Sequence, residues 1–404
     1  MTGVRLIVLF CFVQVAGMAG FASFPALLPG FFDVWELTST QAGWINGIYF
    51  GAYMVSVLPL LSLTDRLDPK RVYLLGALLT ALSSLAFAVL AEGFWGALVF
   101  RALAGIGLAG TYMTGLKALT DRLPGQLSTR AVAFYTATFS IGAALSFLLA
   151  GPLDAALGWR WAFGLTAMGP LAAFLLVLFL VPGSAVPERP DTALLDFRPV
   201  LKNRRAMGYV IAYSAHNWEL FALRTWLVAF LAYSQSLQPA DAPGGTWSTT
   251  TLAALITLLG LPASVLGNEA SNHFGRRRVV IAIMSLSALI AAVIGFGGRL
   301  PFVLLVGLCF LYGITVTADS SSITAGAVAN AKPNQRGATM AVHSFIGFAG
   351  AFTGPVAFGV VLDLAGGGKS LLAWGLAFAS AGLAVAVGPL VLTLIGQRGE
   401  EERE

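Results

Sequence analysis

Several polar side chains lie in a stretch that is otherwise apolar enough to cross a membrane. Residues 209–231 contain His216, Asn217, Glu219 and Arg224, and about 20 mostly apolar residues suffice to cross a bilayer. A charged side chain at mid-membrane costs roughly 2.5–3.5 kcal/mol on insertion scales. A guanidinium can hold an oxyanion in its planar fork, and a carboxyl or imidazole can load and unload protons. This stretch is therefore the first candidate for a functional site.

Two further ionisable residues, Arg101 and Asp319, also fall inside apolar runs. At a rise of about 1.5 Å per residue, Arg101 and Arg224 lie at similar depths in their helices. We predict a substrate site, and its residues are Arg101, Arg224, His216, Asn217, Tyr49 and Tyr112. We predict proton coupling by Glu219, Asp319 and His216.

A structural interpretation of the same charges stays open. His216 and Glu219 are three residues apart and share a helix face, whereas Arg224 points well around the helix from Glu219. Arg101–Glu219 and Arg224–Asp319 could then be compensating ion pairs. His343 is expected to approach this polar layer from the side.

Composition defines the environment of these side chains. The 404 residues are 57% hydrophobic and 11% charged, whereas soluble domains average about 25% charged. A chain of this composition is a polytopic membrane protein. Its net charge of +5 does not indicate nucleic-acid binding, because the basic residues sit in short loops that set orientation. We expect a monomer with no cofactor, whose partners are the lipid bilayer, protons and a small, anionic substrate.

The fold class predicted is an all-α membrane protein with twelve transmembrane helices in two six-helix bundles. The domains predicted are an N-terminal bundle (1–182), a cytoplasmic linker (183–206), a C-terminal bundle (207–396) and a cytoplasmic tail (397–404). The predicted helices are 4–29, 41–64, 72–92, 94–117, 128–151, 159–182, 207–234, 247–270, 278–297, 301–329, 336–363 and 369–396.

Lys and Arg residues are divided unevenly between the two sets of loops. Of the 24, nineteen lie in loops on one side, Arg160, Arg299 and Lys369 lie on the other, and two are inside spans. By the positive-inside rule both termini and the linker are cytoplasmic. The expected location is the bacterial inner membrane.

The two halves repeat a basic turn after their second helix. The first turn reads DRLDPKRV from Asp65, and the second reads NHFGRRRV from Asn272. With the Arg101-x-x-x-Gly105-x-Gly107 pattern and the Gly158-Trp159-Arg160-Trp161 entry to the sixth helix, the chain resembles the major facilitator superfamily. The resemblance implies alternating access, gating roles for Asp65, Arg66 and Arg276, and a cavity lined by the first and fourth helices of each half.

These features predict a secondary transporter that moves a small organic or inorganic anion with protons. A proton-coupled exporter of cationic or amphipathic compounds is the alternative within transport. A transporter-like membrane sensor, which would bind ligand without moving it, is the alternative of another class. An enzyme is not expected, because the chain has no HExxH motif, no Ser–His–Asp ordering and no paired-metal cluster.

Overall fold

The structure is a computed structural model that describes residues 3–183, 197–239, 241–332 and 335–401. Most of the predicted linker (184–196) and the end of the predicted tail (402–404) lie outside these residues. The helices are α1 (Gly3–Gly17), α2 (Ser23–Ala26), α3 (Leu28–Trp35), α4 (Ser39–Leu63), α5 (Pro69–Leu90), α6 (Gly93–Thr120), α7 (Gly125–Leu157), α8 (Trp159–Thr166), α9 (Met168–Leu180), α10 (Arg198–Leu201), α11 (Arg204–Ser236), α12 (Thr249–Phe274), α13 (Arg276–Ile294), α14 (Phe302–Ala318), α15 (Ser320–Ala329), α16 (Arg336–Leu364) and α17 (Leu371–Glu401).

The helices make twelve membrane crossings in two sets of six, as predicted. Within the described residues, ten spans are long and apolar enough to cross by length and composition alone. The other two crossings are the first, where α1 to α3 form one interrupted path, and the seventh, α11, which carries the buried polar residues. The first crossing ends at Trp35 rather than near residue 29. α11 begins at Arg204, inside the predicted linker, because the Asn203 side chain accepts a hydrogen bond from the Ala206 amide.

Three crossings predicted as continuous helices are interrupted. The sixth breaks at Ala167, since Pro170 has no N–H for the carbonyl four residues earlier. In the first crossing Pro25 likewise leaves the Phe21 carbonyl without its helical donor. The tenth breaks at Asp319, between α14 and α15. There the Thr315 and Thr317 hydroxyls donate to carbonyls three and four residues back, a contact that bends helices.

The chain forms two compact units, each with its own core. Unit 1 comprises Met1–Glu36, Ile48–Leu194 and Ala253–Leu258, and unit 2 comprises Leu37–Gly47, Leu195–Leu252 and Leu259–Glu404. Aliphatic, aromatic and alanine side chains of α1, α5, α6, α7 and α9 form a core cluster in unit 1, and α11, α13, α15 and α17 contribute one in unit 2. Glycines allow the helices to approach closely within each unit. A Cβ on Gly350, for example, would lie 2.0 Å from the Ser214 carbonyl oxygen.

Candidate functional site

An imidazole–carboxylate pair lies in the interior of unit 2. Nδ1 of His216, on α11, is 2.7 Å from Oδ1 of Asp319, at the break between α14 and α15. His216 is 1% exposed and Asp319 is 2% exposed. A buried carboxylate is stable only when it is paired or hydrogen-bonded. The predicted proton-coupling residues His216 and Asp319 therefore form one buried pair.

Glu219 lies one turn along α11 from His216 and has its own partners. Its Oε1 atom accepts a hydrogen bond from the Ser287 hydroxyl (2.9 Å) on α13 and another from the Tyr312 hydroxyl (3.0 Å) on α14. Glu219 and Ser287 are 1% exposed and Tyr312 is fully buried. The carboxyl of Glu219 is thus held inside unit 2 by two neutral donors rather than by a cation.

His343 reaches the same region from α16, as the sequence led us to expect. Its ring stacks on Tyr213 at a centroid distance of 3.9 Å, and Tyr213 also stacks on His216 at 5.8 Å. Nε2 of His343 lies 3.3 Å from the Thr324 hydroxyl. Both histidine rings therefore stack on one tyrosine ring, and these contacts join α11 to α16 and α16 to α15.

Asn217 and Arg224 occupy different environments on α11. Asn217 is buried against α16, where a Cβ on Gly347 would lie 3.0 Å from its amide nitrogen. Arg224 is partly exposed, with its guanidinium carbon 5.5 Å from the centroid of the Phe221 ring. Among the described ion pairs Asp319 is joined to His216 and not to Arg224. The compensating Arg224–Asp319 pair is therefore wrong, because the break in the tenth crossing turns Asp319 toward His216.

Arg101 lies in unit 1, on α6, and is 3% exposed. Its guanidinium carbon is 4.3 Å from the centroid of the Tyr49 ring, and Nη1 donates to the Phe21 carbonyl at 3.3 Å. That carbonyl is the one left without a helical donor by Pro25. Arg101 therefore stabilises the break in the first crossing while it stacks on an aromatic face, an arrangement that favours a cation.

A small cavity lies beside Arg101. Its lining includes Tyr49, Phe21, Gly17 and Gly20 at the break in the first crossing, and Ser83 and Ser84 of α5. Tyr112, the other tyrosine predicted in the substrate site, packs its ring against Tyr135 and Phe139 of α7. Unit 1 thus brings Arg101 and Tyr49 together beside this small cavity, and Tyr112 belongs to a neighbouring aromatic cluster.

The basic turn between α4 and α5 is held by an ion pair between Asp68 and Arg122 that the sequence did not predict. Asp68 accepts a hydrogen bond from the Lys70 amide at the start of α5 and forms an ion pair with Arg122 at 2.9 Å. Within the described part of the chain, Asp65 and Arg66 form no ion pair, and Arg66 is exposed. In the second turn, Arg276 donates to Asn272 at 3.2 Å.

Some residues that the sequence reasoning missed carry a sequence signal, and others do not. The order Asp68-Pro69 is a helix-start signal, since an Asp cap followed by Pro at the first helical position is favourable. Tyr312 lies two turns before Asp319 on the same face of the tenth crossing, so its proximity to the polar layer was predictable. Ser287 carries no such signal, because it is one serine in an apolar helix whose neighbours depend on packing.

The fold and these buried polar groups define a multi-pass membrane transporter of the secondary type. The chain belongs to the Major Facilitator Superfamily, whose family model matches residues 9–355.

Relatives with assigned names are also transporters. The 3-(3-hydroxy-phenyl)propionate transporter of Escherichia coli K12 is 28% identical over 371 residues, covering 89% of this chain and 85% of that protein. The sphingosine-1-phosphate transporter SPNS2 of Xenopus tropicalis is 24% identical over 384 residues, covering 89% and 74%. A metabolite transport protein of Haemophilus influenzae, whose name is provisional, is 26% identical over 275 residues. That alignment covers 63% of each chain, so it spans less than two thirds of the relative's length.

Solved structures share the fold. A bacterial homologue of the human lysosomal transporter Spinster, in its occupied form, superposes with a TM-score of 0.77 at 13% identity, covering 97% of this chain and 96% of that one. The nucleoside transporter NupG gives a TM-score of 0.75 at 16% identity, covering 96% and 99%. At these identities the likeness concerns the fold alone.

Proposed function

We propose that this protein is a proton-coupled transporter of a small organic anion. The observation that carries the proposal is the His216–Asp319 pair, with Nδ1 and Oδ1 2.7 Å apart inside unit 2. Glu219 lies one turn away, held by two hydroxyls. Ionisable groups in transmembrane helices are costly and mark substrate paths or proton relays, so three of them in one buried cluster support coupling to protons.

The anionic substrate is supported by two cationic side chains and by two relatives. Arg101 in unit 1 borders a small cavity lined by both polar and apolar side chains, and Arg224 in unit 2 is partly exposed. Arginine suits oxyanions because its donors form a planar fork. One relative is named as a transporter of 3-(3-hydroxy-phenyl)propionate and another as a transporter of sphingosine-1-phosphate. Each of these two molecules carries an anionic group. In this proposal Tyr49 orients Arg101 within unit 1, and Asn217 and Tyr112 remain predicted substrate residues.

The remaining assignments are part of the same proposal. The uneven division of Lys and Arg residues supports cytoplasmic termini and a bacterial inner-membrane location. We infer a monomer in which the N-terminal (1–182) and C-terminal (207–396) bundles alternate in access, with Asp65, Arg66 and Arg276 acting at the cytoplasmic gate. The Asp68–Arg122 pair supports a gate at this turn, since it lies within three residues of Asp65.

Uptake by purified protein in sealed proteoliposomes tests the proposal. An imposed inward proton gradient is expected to accelerate uptake of a radiolabelled aromatic carboxylate, and unlabelled carboxylates are expected to compete where organic cations do not. Arg224→Ala is expected to remove carboxylate uptake. Arg278→Ala serves as the control, because it removes the same charge from an exposed position in the first turn of α13. Unchanged uptake by Arg224→Ala contradicts the anion assignment, and a flat response to the gradient in an active preparation contradicts proton coupling.

An exporter of cationic compounds is the second candidate. It is favoured by the buried acids Glu219 and Asp319, and by the contact of Arg101 with the Phe21 carbonyl, which gives that arginine a structural role. Competition by organic cations and not by carboxylates in the same assay would select it.

A further inference from the structure

Two pairs of polar groups join α11 to the tenth crossing. The first pair is His216–Asp319, with 2.7 Å between Nδ1 and Oδ1. The second is Glu219–Tyr312, with 3.0 Å between Oε1 and the phenol oxygen. His216 and Glu219 are three residues apart and share a face of α11. The two pairs therefore join α11 to the tenth crossing at the break itself, through Asp319, and about two helical turns before it, through Tyr312.

Ser287 connects a third helix to the Glu219–Tyr312 pair. Its hydroxyl, on α13, donates to the same oxygen of Glu219 that accepts from Tyr312, at 2.9 Å. Both donors are thus directed at Oε1, and neither is directed at Oε2 of the same carboxyl. A protonated carboxyl carries its hydrogen on one oxygen and accepts on the other. The geometry determines which oxygen of Glu219 can take the proton.

The described contacts define the surroundings of Glu219 in unit 2. Tyr312 on α14 and Ser287 on α13 donate to its carboxyl, and His216, one turn along α11, is paired with Asp319 at the helix break. Cys309 lies near Tyr312 on α14. The described hydrogen bonds of the Glu219 carboxyl therefore come from two hydroxyl donors, while the nearby acid Asp319 is paired with a histidine.

We propose that Tyr312 and Ser287 are positioning residues for proton coupling, which hold Glu219 so that its proton binds at Oε2. This inference rests on the proposed proton-coupled transport. Neither residue contacts the predicted substrate residues Arg224 or Asn217 in the described hydrogen bonds. Their role is to set the pH at which Glu219 exchanges its proton, rather than to bind the substrate.

The test is the pH profile of substrate uptake in proteoliposomes. Hydrogen bonds to a carboxylate stabilise its charged form, so removing one favours the protonated form. Tyr312→Phe is expected to move the midpoint of the profile to higher pH by about one unit, the size of one hydrogen bond to a charged group. Ser287→Ala is expected to move it in the same direction by a smaller amount. The KM for substrate is expected to stay within about twofold in both variants, because Tyr312 and Ser287 contact Glu219 and not the predicted substrate residues Arg224 or Asn217.

Conservative and matched variants separate positioning from packing. Ser287→Thr keeps a hydroxyl and is expected to restore the wild-type profile. Tyr73→Phe and Ser234→Ala remove buried hydroxyls far from Glu219 in the chain and are expected to leave the profile unchanged. Ser287→Ala keeps the test available if Tyr312→Phe does not fold.

The possible outcomes distinguish this inference from the proposed function. In one outcome, uptake by the wild type depends on pH, and Tyr312→Phe and Ser287→Ala have the same midpoint as the wild type. That outcome overturns the positioning role and leaves proton coupling intact. A wild-type uptake that is flat with pH overturns proton coupling, and the positioning role with it.

Discussion

Nδ1 of His216 lies 2.7 Å from Oδ1 of Asp319, and both side chains are almost fully buried. The pair joins the first helix of the second six-helix set to the point at which the tenth crossing breaks. Broken helices in transporters are typical of ion and substrate sites, because interrupted backbone is tolerated where it serves a polar site. In the proposed proton-coupled transport, this carboxylate at the break links proton binding to the geometry of the tenth crossing.

Asp319→Asn is expected to abolish uptake driven by a proton gradient, while substrate counterflow continues. The amide keeps the size of the carboxyl and can still contact His216, but it cannot carry a proton. Asp319→Ala is expected to be more damaging, costing roughly 3–5 kcal/mol of stability because it breaks a buried pair. Gradient-driven uptake and counterflow, measured on the same vesicles, test whether Asp319 takes part in proton coupling. Uptake by Asp319→Asn that still follows the gradient would exclude Asp319 from coupling.

Gly267→Ala is expected to destabilise the protein by roughly 1–3 kcal/mol, the cost of overpacking. A Cβ at this position of α12 would lie 1.9 Å from the Ala318 carbonyl oxygen, beside the break. The Ser264–Ser321 and Ser271–Ser322 contacts, at 2.5 and 2.8 Å, join α12 to α15 on the other side of the same break. Thermal unfolding in detergent provides the measurement. Gly307→Ala is the control, since a Cβ there meets nothing within 4 Å, and equal melting temperatures for the two variants would contradict the close approach.

Asp363→Ala is expected to loosen the start of α4, at a cost of about 0.5–2 kcal/mol typical of a lost helix cap. The Asp363 carboxylate accepts hydrogen bonds from the Ser39 and Thr40 amides at 2.9 and 2.7 Å. A carboxylate is favourable at a helix N-terminus and unfavourable at the C-terminal end of its own helix, so its contact with α4 stabilises its position. Hydrogen exchange of residues 39–47 is expected to accelerate.

Asp154→Ala provides the matched control for that cap. Asp154 lies near the end of α7 as Asp363 does near the end of α16, and its carboxylate caps no helix among the described residues. Its substitution is expected to leave exchange at residues 39–47 unchanged. Acceleration of the same size in both variants would point to a general loss of stability instead of a lost cap.

A double-mutant cycle on Asp68 and Arg122 is expected to give a coupling free energy of about 1–3 kcal/mol. The two side chains are 2.9 Å apart and about nine-tenths buried. Asp65→Asn is expected to change stability by less than about 0.5 kcal/mol, as for a surface substitution without specific contacts. Chemical or thermal unfolding of the four proteins of the cycle supplies the values. A larger loss for Asp65→Asn than for Arg122→Ala would reverse the assignment of the structural acid.

The sequence predicted the fold well because its signals were local. Apolar runs long enough for a bilayer, separated by Pro, Gly and charged turns, indicated twelve crossings. The buried charges Arg101, Glu219 and Asp319 were visible for the same reason, since each interrupts an apolar run. The interruptions at Ala167 and Asp319 were not predicted, because a one-residue break leaves the apolar pattern continuous.

The sequence by itself determined the membrane class, the number of crossings and which helices carry ionisable residues. Only the tertiary structure decided the partners of those residues. Asp319 faces His216 and not Arg224, and Glu219 receives Ser287 and Tyr312. The reason is physical: periodicity defines the face of one helix, whereas partners depend on the rotation and breaks of the neighbouring helices, which packing over the whole unit sets.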